Sequence, residues 1–534
     1  MGSALRHTAP WRSIPDMLRD NCARHADALA VVDGATALTY GELWQYSDDW
    51  LALLAARDVG PGVRVCIWSH NSWQWIVAAT AVWRLGATLV PISSRLKALD
   101  ARAIIDKSRA RVLLATADCG GTDLPGLLLA EFGAGEDHPV AGLPTLASIV
   151  SLDEQPAPMS STAGAAGGQE AAFSGEEIAE ILFTSGTTGE PKGVMLNHRQ
   201  VLQAYWDWSD QGGLRAGDRF LVVPPFSHGF GINAGILACL MRGMTHVVVG
   251  FFDPGRTLEL VAAHGITVMS GAPALFSRLC ESAGAGASSP LASVRVVYVG
   301  AAHVAPALIE ALRDVHGIDR VINAYGLIEG CVVSMTRADD PVVRIASSVG
   351  RALPGVEVAI CDEQGTALPP GRQGEIRVRG YGVMQGYLEA PHLTREALTE
   401  DGWLRTGDAG VLDSDAYLSI VGRLKEMYIT NGFNVYPAEI EDYLLQHPAV
   451  HAVAVVGVAD SARGEAGVAF AVGETRCESS DPLAWLREKI ASYKVPARLE
   501  WVEALPLNDN GKVRKDVLAQ WASQQDSKRM GSEV

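Results

Sequence analysis

The sequence predicts an α/β protein with a large body and a smaller following unit, on three observations. Helix-like and strand-like segments alternate through the first half, which implies helices layered on sheets. The 534 residues exceed what one hydrophobic core supports, so two or more domains are expected. The chain then changes character at the polar junction Gly422-Arg423-Leu424-Lys425-Glu426. Residues 1–422 are read as the body and 423–426 as the junction. Residues 427–534 form a further unit of about 110 residues, an ordinary domain size.

Each element has its own signal. Asn71 or Ser72 caps a helix over Trp73–Leu85, and Gly86 stops it. The apolar run Thr88–Ile92 follows as a strand. Residues 154–176, rich in Ala, Gly, Ser, Pro and Glu, read as a surface linker. Glu180–Phe183 is strand-like, as is Lys192–Leu196. Asn197 caps a helix that presents Val201, Ala204, Tyr205 and Trp208 on one face, which reads as core. Beyond the junction, Pro437 opens a helix over Glu439–Gln446, then comes a buried strand over Val450–Val458. Ala522–Val534 is polar and reads as a frayed tail.

Composition narrows the function classes. Hydrophobic content of 48% and charged content of 20% describe a globular protein, and the net charge of −17 disfavours nucleic acid and anionic membrane as partners. The eight cysteines are scattered without a Cys-x-x-Cys pair, which disfavours structural zinc and a disulfide scaffold and suits the cytoplasm. No basic-then-apolar signal opens the chain. Phe220–Met241 lacks Asp, Glu, Lys and Arg, but its prolines, glycines, His228 and Asn233 make it a buried loop and helix rather than a membrane span.

The most informative stretch is Thr184-Ser185-Gly186-Thr187-Thr188-Gly189-Glu190-Pro191-Lys192-Gly193. Glycines let successive backbone N–H groups turn toward one anion, hydroxyls add short donors, and Lys192 adds charge for β- and γ-phosphates. That is a polyphosphate cradle. It differs from the P-loop NTPase signature, because Gly193 rather than Ser or Thr follows the lysine.

With these landmarks the chain resembles the adenylate-forming superfamily, which includes acyl-CoA synthetases, peptide-synthetase adenylation domains and firefly luciferase. The likeness runs from Leu38-Thr-Tyr-Gly-Glu-Leu43 to Gly511-Lys512, with motifs in family order. It is greatest to stand-alone acyl-CoA ligases, especially actinobacterial ones for steroid- or terpenoid-derived acids. The resemblance implies layered α/β sheets in the body and a small, mobile α+β lid, with Lys425 and Glu426 as the hinge. It further implies ATP and Mg²⁺ as requirements and coenzyme A as acceptor of the acyl group.

Carried over position by position, Thr184–Gly189 and Lys192 match the family's phosphate loop. Tyr325, within Asn323-Ala324-Tyr325-Gly326, matches the adenine-stacking tyrosine, and Glu329 the Mg²⁺ ligand. Gly300, Ala301 and Ala302 match the strip beside adenine, while Asp408 and Arg423 match the ribose contacts. Lys512 matches the lysine that meets the reacting carboxylate and α-phosphate, where a cation stabilises charge gathering between two anions. The loop over Tyr428–Tyr436 matches the segment that lines the pantetheine tunnel.

The acyl pocket is expected to be walled by Phe226, Ser227, His228, Gly229, Phe230, Ile232 and Asn233, with Val299, Gly300, Gly326, Gly330 and Cys331. Peptide-synthetase domains carry an Asp where Ser227 stands, so an amino acid substrate is disfavoured. Gly229, Gly231, Ala234 and Gly235 remove side-chain volume, which favours a wide apolar acid. His228 has three readings: closing the pocket, contacting the carboxylate in a catalytic role, or packing.

Two departures matter. Ile328 stands where a Thr usually reaches the α-phosphate, and Asn431 where many relatives have glycine. The expectation is a carboxylate–CoA ligase acting through acyl-AMP. One alternative is an adenylating enzyme that hands acyl-AMP to a partner enzyme or carrier protein; another is a non-catalytic nucleotide- or acyl-binding paralogue. A homodimer is compatible with all three.

Overall fold

A computed structural model describes residues 8–136, 138–156, 173–184, 191–284, 289–300, 304–430, 433–460, 463–474, 481–508 and 512–531. The chain divides into two compact units, one of residues 1–358 and 378–404 and one of 359–377 and 405–534. The segment after the junction thus shares its unit with two stretches that precede it.

Helix and strand signals explain the first unit. Ser72 caps the helix Trp73–Arg84 by accepting a hydrogen bond from the Trp75 N–H, and nine of its twelve residues are buried. The chain reverses at Gly86, whose φ of 68° suits glycine. Thr88–Ser93 then runs parallel to Arg64–Ser69. Asn197 and Gln200 form a reciprocal capping box at the start of the helix His198–Gln211. Val201, Ala204, Tyr205 and Trp208 lie buried on its inner face, with the Trp208 ring stacked on Tyr298 at 3.9 Å.

Among the described residues the first unit builds two mixed sheets. One has nine strands in the order Arg351–Ala352, Cys331–Met335, Arg320–Leu327, Val296–Gly300, Val268–Gly271, Arg219–Val222, Thr245–Val248, Leu29–Asp33 and Thr36–Thr39. The other has seven, in the order Gly386–Tyr387, Lys192–Asn197, Ile178–Thr184, Thr88–Ser93, Arg64–Ser69, Val112–Ala115 and Ser148–Ser151. Helices cover them, as alternation requires.

The stretch from Phe220 divides between a strand ending at Val222 and a helical run over 229–242. Its middle, Ile232–Leu237, is wound as a π-helix, a rare form that concentrates at functional sites. No helix among the described residues is long and apolar enough to cross a membrane.

In the second unit, Phe433–Val435, Tyr428–Thr430, Gly464–Gly473, Val450–Asp460 and Arg498–Trp501 form one sheet. The helix Pro437–Leu444 has proline at its first turn, as the sequence indicated. A four-stranded sheet, most of whose residues belong to this unit, includes the antiparallel pair Leu404–Leu412 and Leu418–Arg423. The expected frayed tail is instead helical: Lys515–Gly531 continues through Ala522. Leu518 and Ala522, four residues apart, lie on one helical face and are buried with Val456, Val468 and Phe470. That apolar pair holds a turn that polarity alone would have left loose. The proposed linker at 154–176 falls mostly on residues outside the described set.

Candidate active site

The predicted phosphate loop springs from a hairpin. Ile178–Thr184 and Lys192–Asn197 are antiparallel, with Thr184 directly opposite Lys192. Ser185, Gly186, Thr187, Thr188 and Gly189 lie outside the described residues, as do Ala301 and Ala302. On the far side of the second strand, Tyr387 pairs with Val194. The Lys192 ammonium stands 5.3 Å from the Tyr387 ring centre, and the Tyr387 hydroxyl donates to Glu329 Oε1 at 3.0 Å. Tyr387 therefore links the two, its ring face toward the Lys192 ammonium and its hydroxyl on the Glu329 carboxylate. Burial, and then the Glu329 carboxylate, push the Tyr387 hydroxyl above its usual pKa.

Glu329 is presented by a tight turn. The 3₁₀ segment Ile328–Gly330 joins the strands Arg320–Leu327 and Cys331–Met335, and Met384 N–H bonds the Glu329 carbonyl at 2.9 Å. Cys331 takes φ 53° and ψ −133°, a costly backbone for a non-glycine residue, of a kind that clusters at active sites. A Cβ at Gly326 would stand 2.3 Å from the Cys331 carbonyl oxygen, so glycine is required there. Tyr325 faces Ser334 across the hairpin, and Gly300 faces Ala324. Asn323 gives its amide hydrogens to the carbonyls of Ile345 and Ser348, both at 3.0 Å. Its side chain thus fastens the strand from behind.

The expected acyl wall needs correction at several positions. Phe226 is 1% exposed, with its ring against Trp75 and His246 at 5.4 and 5.2 Å, so it packs in the core. Val299 also belongs to the core, alongside Val297 and Val321, because strand alternation turns it away from Tyr298 and Gly300. Two glycines read as pocket-widening serve packing instead. A Cβ at Gly231 would stand 2.0 Å from the Pro225 carbonyl oxygen, and one at Gly235 would stand 2.8 Å from Val222.

Gly229 alone of these three has room. A Cβ there would meet Leu182 at 3.6 Å, the Tyr205 hydroxyl at 3.8 Å and the Asn233 amide nitrogen at 4.0 Å. His228 is partly exposed and caps the following helical turn, its Nδ1 accepting from the Phe230 N–H at 3.2 Å, which orients the ring. Ile232 and Asn233 are buried in the π-helical segment, and Ser227 and Phe230 are partly exposed. Gly330 and Cys331 are buried behind Glu329.

In the second unit Asp408 and Arg423 are cross-strand partners, with Arg423 Nε 3.3 Å from Asp408 Oδ1. Asp408 is nearly buried while Arg423 reaches solvent. Lys425 and Glu426 form the turn between Leu418–Arg423 and Tyr428–Thr430. Lys515 Nζ holds Glu426 at 2.7 Å and Glu441 at 2.8 Å. Burial opposes the charge on Lys515, but Glu441 and Glu426 outweigh it and raise the pKa. Lys512 is exposed, and its N–H is fixed by Asn508 Oδ1 at 2.9 Å. Asn431 lies outside the described residues. No cluster of three metal-ligating side chains occurs among the described residues.

The sequence profile of AMP-binding enzymes matches residues 18–388, and that of the AMP-binding enzyme C-terminal domain matches residues 439–512. The chain belongs to the AMP-binding enzymes. A relative from Rhodococcus jostii is 38% identical over 514 residues, covering 94% of this chain and 98% of its own. One from Mycobacterium tuberculosis is 38% identical over 520 residues, covering 95% and 98%. Both are named as 7a-methyl-1,5-dioxo-octahydro-1H-inden-4-yl propanoyl:CoA ligases. ATP-bound MatB from Rhodopseudomonas palustris matches the structure with a TM-score of 0.81 at 27% identity, covering 95% of this chain and 98% of its own. This AMP-binding enzyme is an acid–thiol ligase of the acyl-CoA synthetase kind, ATP-dependent and working through acyl-AMP.

Sequence reasoning passed over three residues that the structure brings into notable contacts. Tyr387 joins the Lys192 and Glu329 segments, and no local motif announces a contact across almost 200 positions. Glu180 and Tyr205 were read only as strand and core. A Glu within an apolar strand was the available signal.

Proposed function

We propose that this enzyme activates a bulky, ring-bearing carboxylic acid and transfers it to coenzyme A. The names of the two relatives support the substrate class, and the loss of an Asp at Ser227 disfavours an amino acid. The observation that carries the site assignment is Tyr387 contacting both Lys192 and Glu329 beside the Thr184 hairpin. A phosphate chain bound beside them would find a cation in Lys192 for its β and γ groups and a carboxylate in Glu329 that would hold a metal ion.

Glu329 fits Mg²⁺. Tyr387 bonds Oε1, leaving Oε2 as a hard oxygen ligand, and Mg²⁺ on nucleotides uses one or two carboxylates plus phosphate oxygens. When bound, the ion would supply charge neutralisation on the phosphates. Lys192 draws charge toward the leaving pyrophosphate. Tyr325 stacks adenine, and Asp408 accepts from the ribose hydroxyls, two donors meeting one acceptor-only carboxylate. Arg423 orients Asp408 from the facing strand. Lys512 neutralises the carboxylate as it attacks the α-phosphorus in line, and pyrophosphate leaves.

In the second half-reaction the CoA thiol, deprotonated, attacks the acyl carbonyl and expels AMP. The turn at Lys425–Glu426 is the proposed pivot between the two stages. We place the enzyme in the cytoplasm because its seven described cysteines are free.

The test incubates enzyme, MgATP and a panel of steroid-like, terpenoid, aryl and fatty acids, with and without CoA, and measures pyrophosphate, AMP and thioester. Pyrophosphate and thioester formed fastest with ring-bearing acids is the expected result. Fatty acids preferred tenfold would overturn the substrate class, and pyrophosphate without thioester would mark an enzyme that hands acyl-AMP to another acceptor.

A further inference from the structure

Beside Gly229 the first unit buries a polar group that its own chain does not satisfy. Glu180 sits on the strand Ile178–Thr184, where Glu180, Leu182 and Thr184 share one face. It is 0% exposed. Asn233, in the π-helical segment and 1% exposed, donates from Nδ2 to Glu180 Oε1 at 2.6 Å. The same amide nitrogen serves the Tyr205 hydroxyl on the facing helix. Among the described residues, Glu180 Oε2 and Asn233 Oδ1 have no hydrogen-bond partner. Leaving such atoms dry and unpaired costs about 1–3 kcal/mol each.

The open side of this cluster is known from Gly229. A Cβ there would lie in ordinary contact with Leu182, Tyr205 and Asn233, so a methyl-sized space adjoins them. Along the strand face Glu180 is about 13 Å from Thr184, four residues at the usual rise. An acid with its carboxylate near Thr184 would bring its far end here if it spans about that distance.

We propose that Glu180, Asn233 and Tyr205 form the polar floor of the acyl pocket and bind a keto or hydroxyl oxygen at the far end of a ring-bearing acid. This rests on the acid-activating role assigned above. The Tyr205 O–H is a donor whatever the state of the acid. Burial, partly offset by the Asn233 bond, raises the Glu180 carboxyl to about 7, so it also carries a proton to donate over much of the neutral range. Asn233 Oδ1 accepts from a hydroxyl. A hydrocarbon end would leave Glu180 Oε2 and Asn233 Oδ1 unpaired, which is how polar sites reject apolar analogues.

The test compares three propanoic acids on one bicyclic frame: the dioxo-octahydroindenyl acid, its dihydroxy form and its fully deoxygenated form. The readout is kcat/KM for acid-dependent ATP–pyrophosphate exchange, with Kd for the ATP-loaded enzyme as a second measure. The wild type is expected to prefer an oxygenated acid by about 10- to 100-fold, and Glu180→Leu to bring that ratio to within about threefold of unity. Glu180→Gln, which keeps a donor and the Asn233 contact, should restore most of the preference, and rescues the comparison if the leucine variant fails to fold. Equal loss for all three acids in both variants, or no preference in the wild type, would overturn the proposal. If no acid of any kind is exchanged or bound, the functional assignment itself falls; exchange of all three without discrimination sinks only the polar floor.

Discussion

Replacing Glu180 by Gln isolates the energetics of the buried carboxyl. The native group is raised from 4.5 to about 7, with burial as the main cause. A carboxyl raised in the folded state binds more protons there than in the unfolded chain, so stability falls as pH rises through the folded value. The full linkage of about 2.5 units is worth about 3.4 kcal/mol, present below the unfolded pKa and lost above the folded one. Between about pH 5.5 and about pH 8 the expected loss is about 2 kcal/mol. His198 and His246, lowered to about 4 and about 3 by burial, titrate in the opposite sense, but both proteins share them and they cancel in the difference.

The assay is urea unfolding at the two pH values followed by tryptophan fluorescence. Trp50, Trp68, Trp75, Trp83 and Trp208 are all fully buried in the same unit as Glu180. The wild type should lose about 2 kcal/mol more than Glu180→Gln on going to the higher pH. A difference below about 0.5 kcal/mol, or one of opposite sign, would show that Glu180 is ionised in the native protein and satisfied by groups the structure does not place there.

Four further outcomes follow. Lys512→Ala should abolish acid-dependent pyrophosphate exchange without changing the unfolding profile; full exchange in that variant would remove Lys512 from the mechanism. Tyr387→Phe deletes the hydroxyl that holds Glu329, and one hydrogen bond of about 1–2 kcal/mol should raise KM for MgATP about 5- to 30-fold while leaving the acid's Kd alone. Lys515→Met strands the largely buried Glu441 and should destabilise the second unit by about 3 kcal/mol, read as faster hydrogen exchange over Gly464–Gly473. Glu426→Gln should cost under about 1 kcal/mol, because Glu426 is more exposed, yet it should slow thioester formation more than adenylation. Equal effects on both half-reactions would argue against the turn as a pivot.

Signals that are local in the chain were legible. Ser72 and Asn197 caps, the stop at Gly86 and the proline before the helix at Pro437 each act within one turn, so spacing reveals them. The family likeness carried the rest of the architecture. What sequence concealed was direction. Phe226 and Val299 sit in segments that reach the site, but alternation and cross-packing turn their side chains into the core. Glycines such as Gly231 and Gly235 look alike in sequence, yet each answers to a different neighbour, a carbonyl in one case and a valine in the other. Tyr387 and Glu180 act through partners far along the chain, which only sheet register brings beside them. The tail was misread because two apolar residues, Leu518 and Ala522, anchor the helix once they share a buried face, despite the polar residues that follow.

The central claim is that a carboxylate oxygen attacks the α-phosphorus of ATP. It is tested most directly by supplying the acid with both carboxyl oxygens as oxygen-18 and weighing the nucleotide after turnover with CoA. Transfer of one labelled oxygen into AMP, with unlabelled pyrophosphate, is the predicted result. Label in inorganic phosphate with ADP as the product would mean that an acyl phosphate forms instead, and would contradict the account.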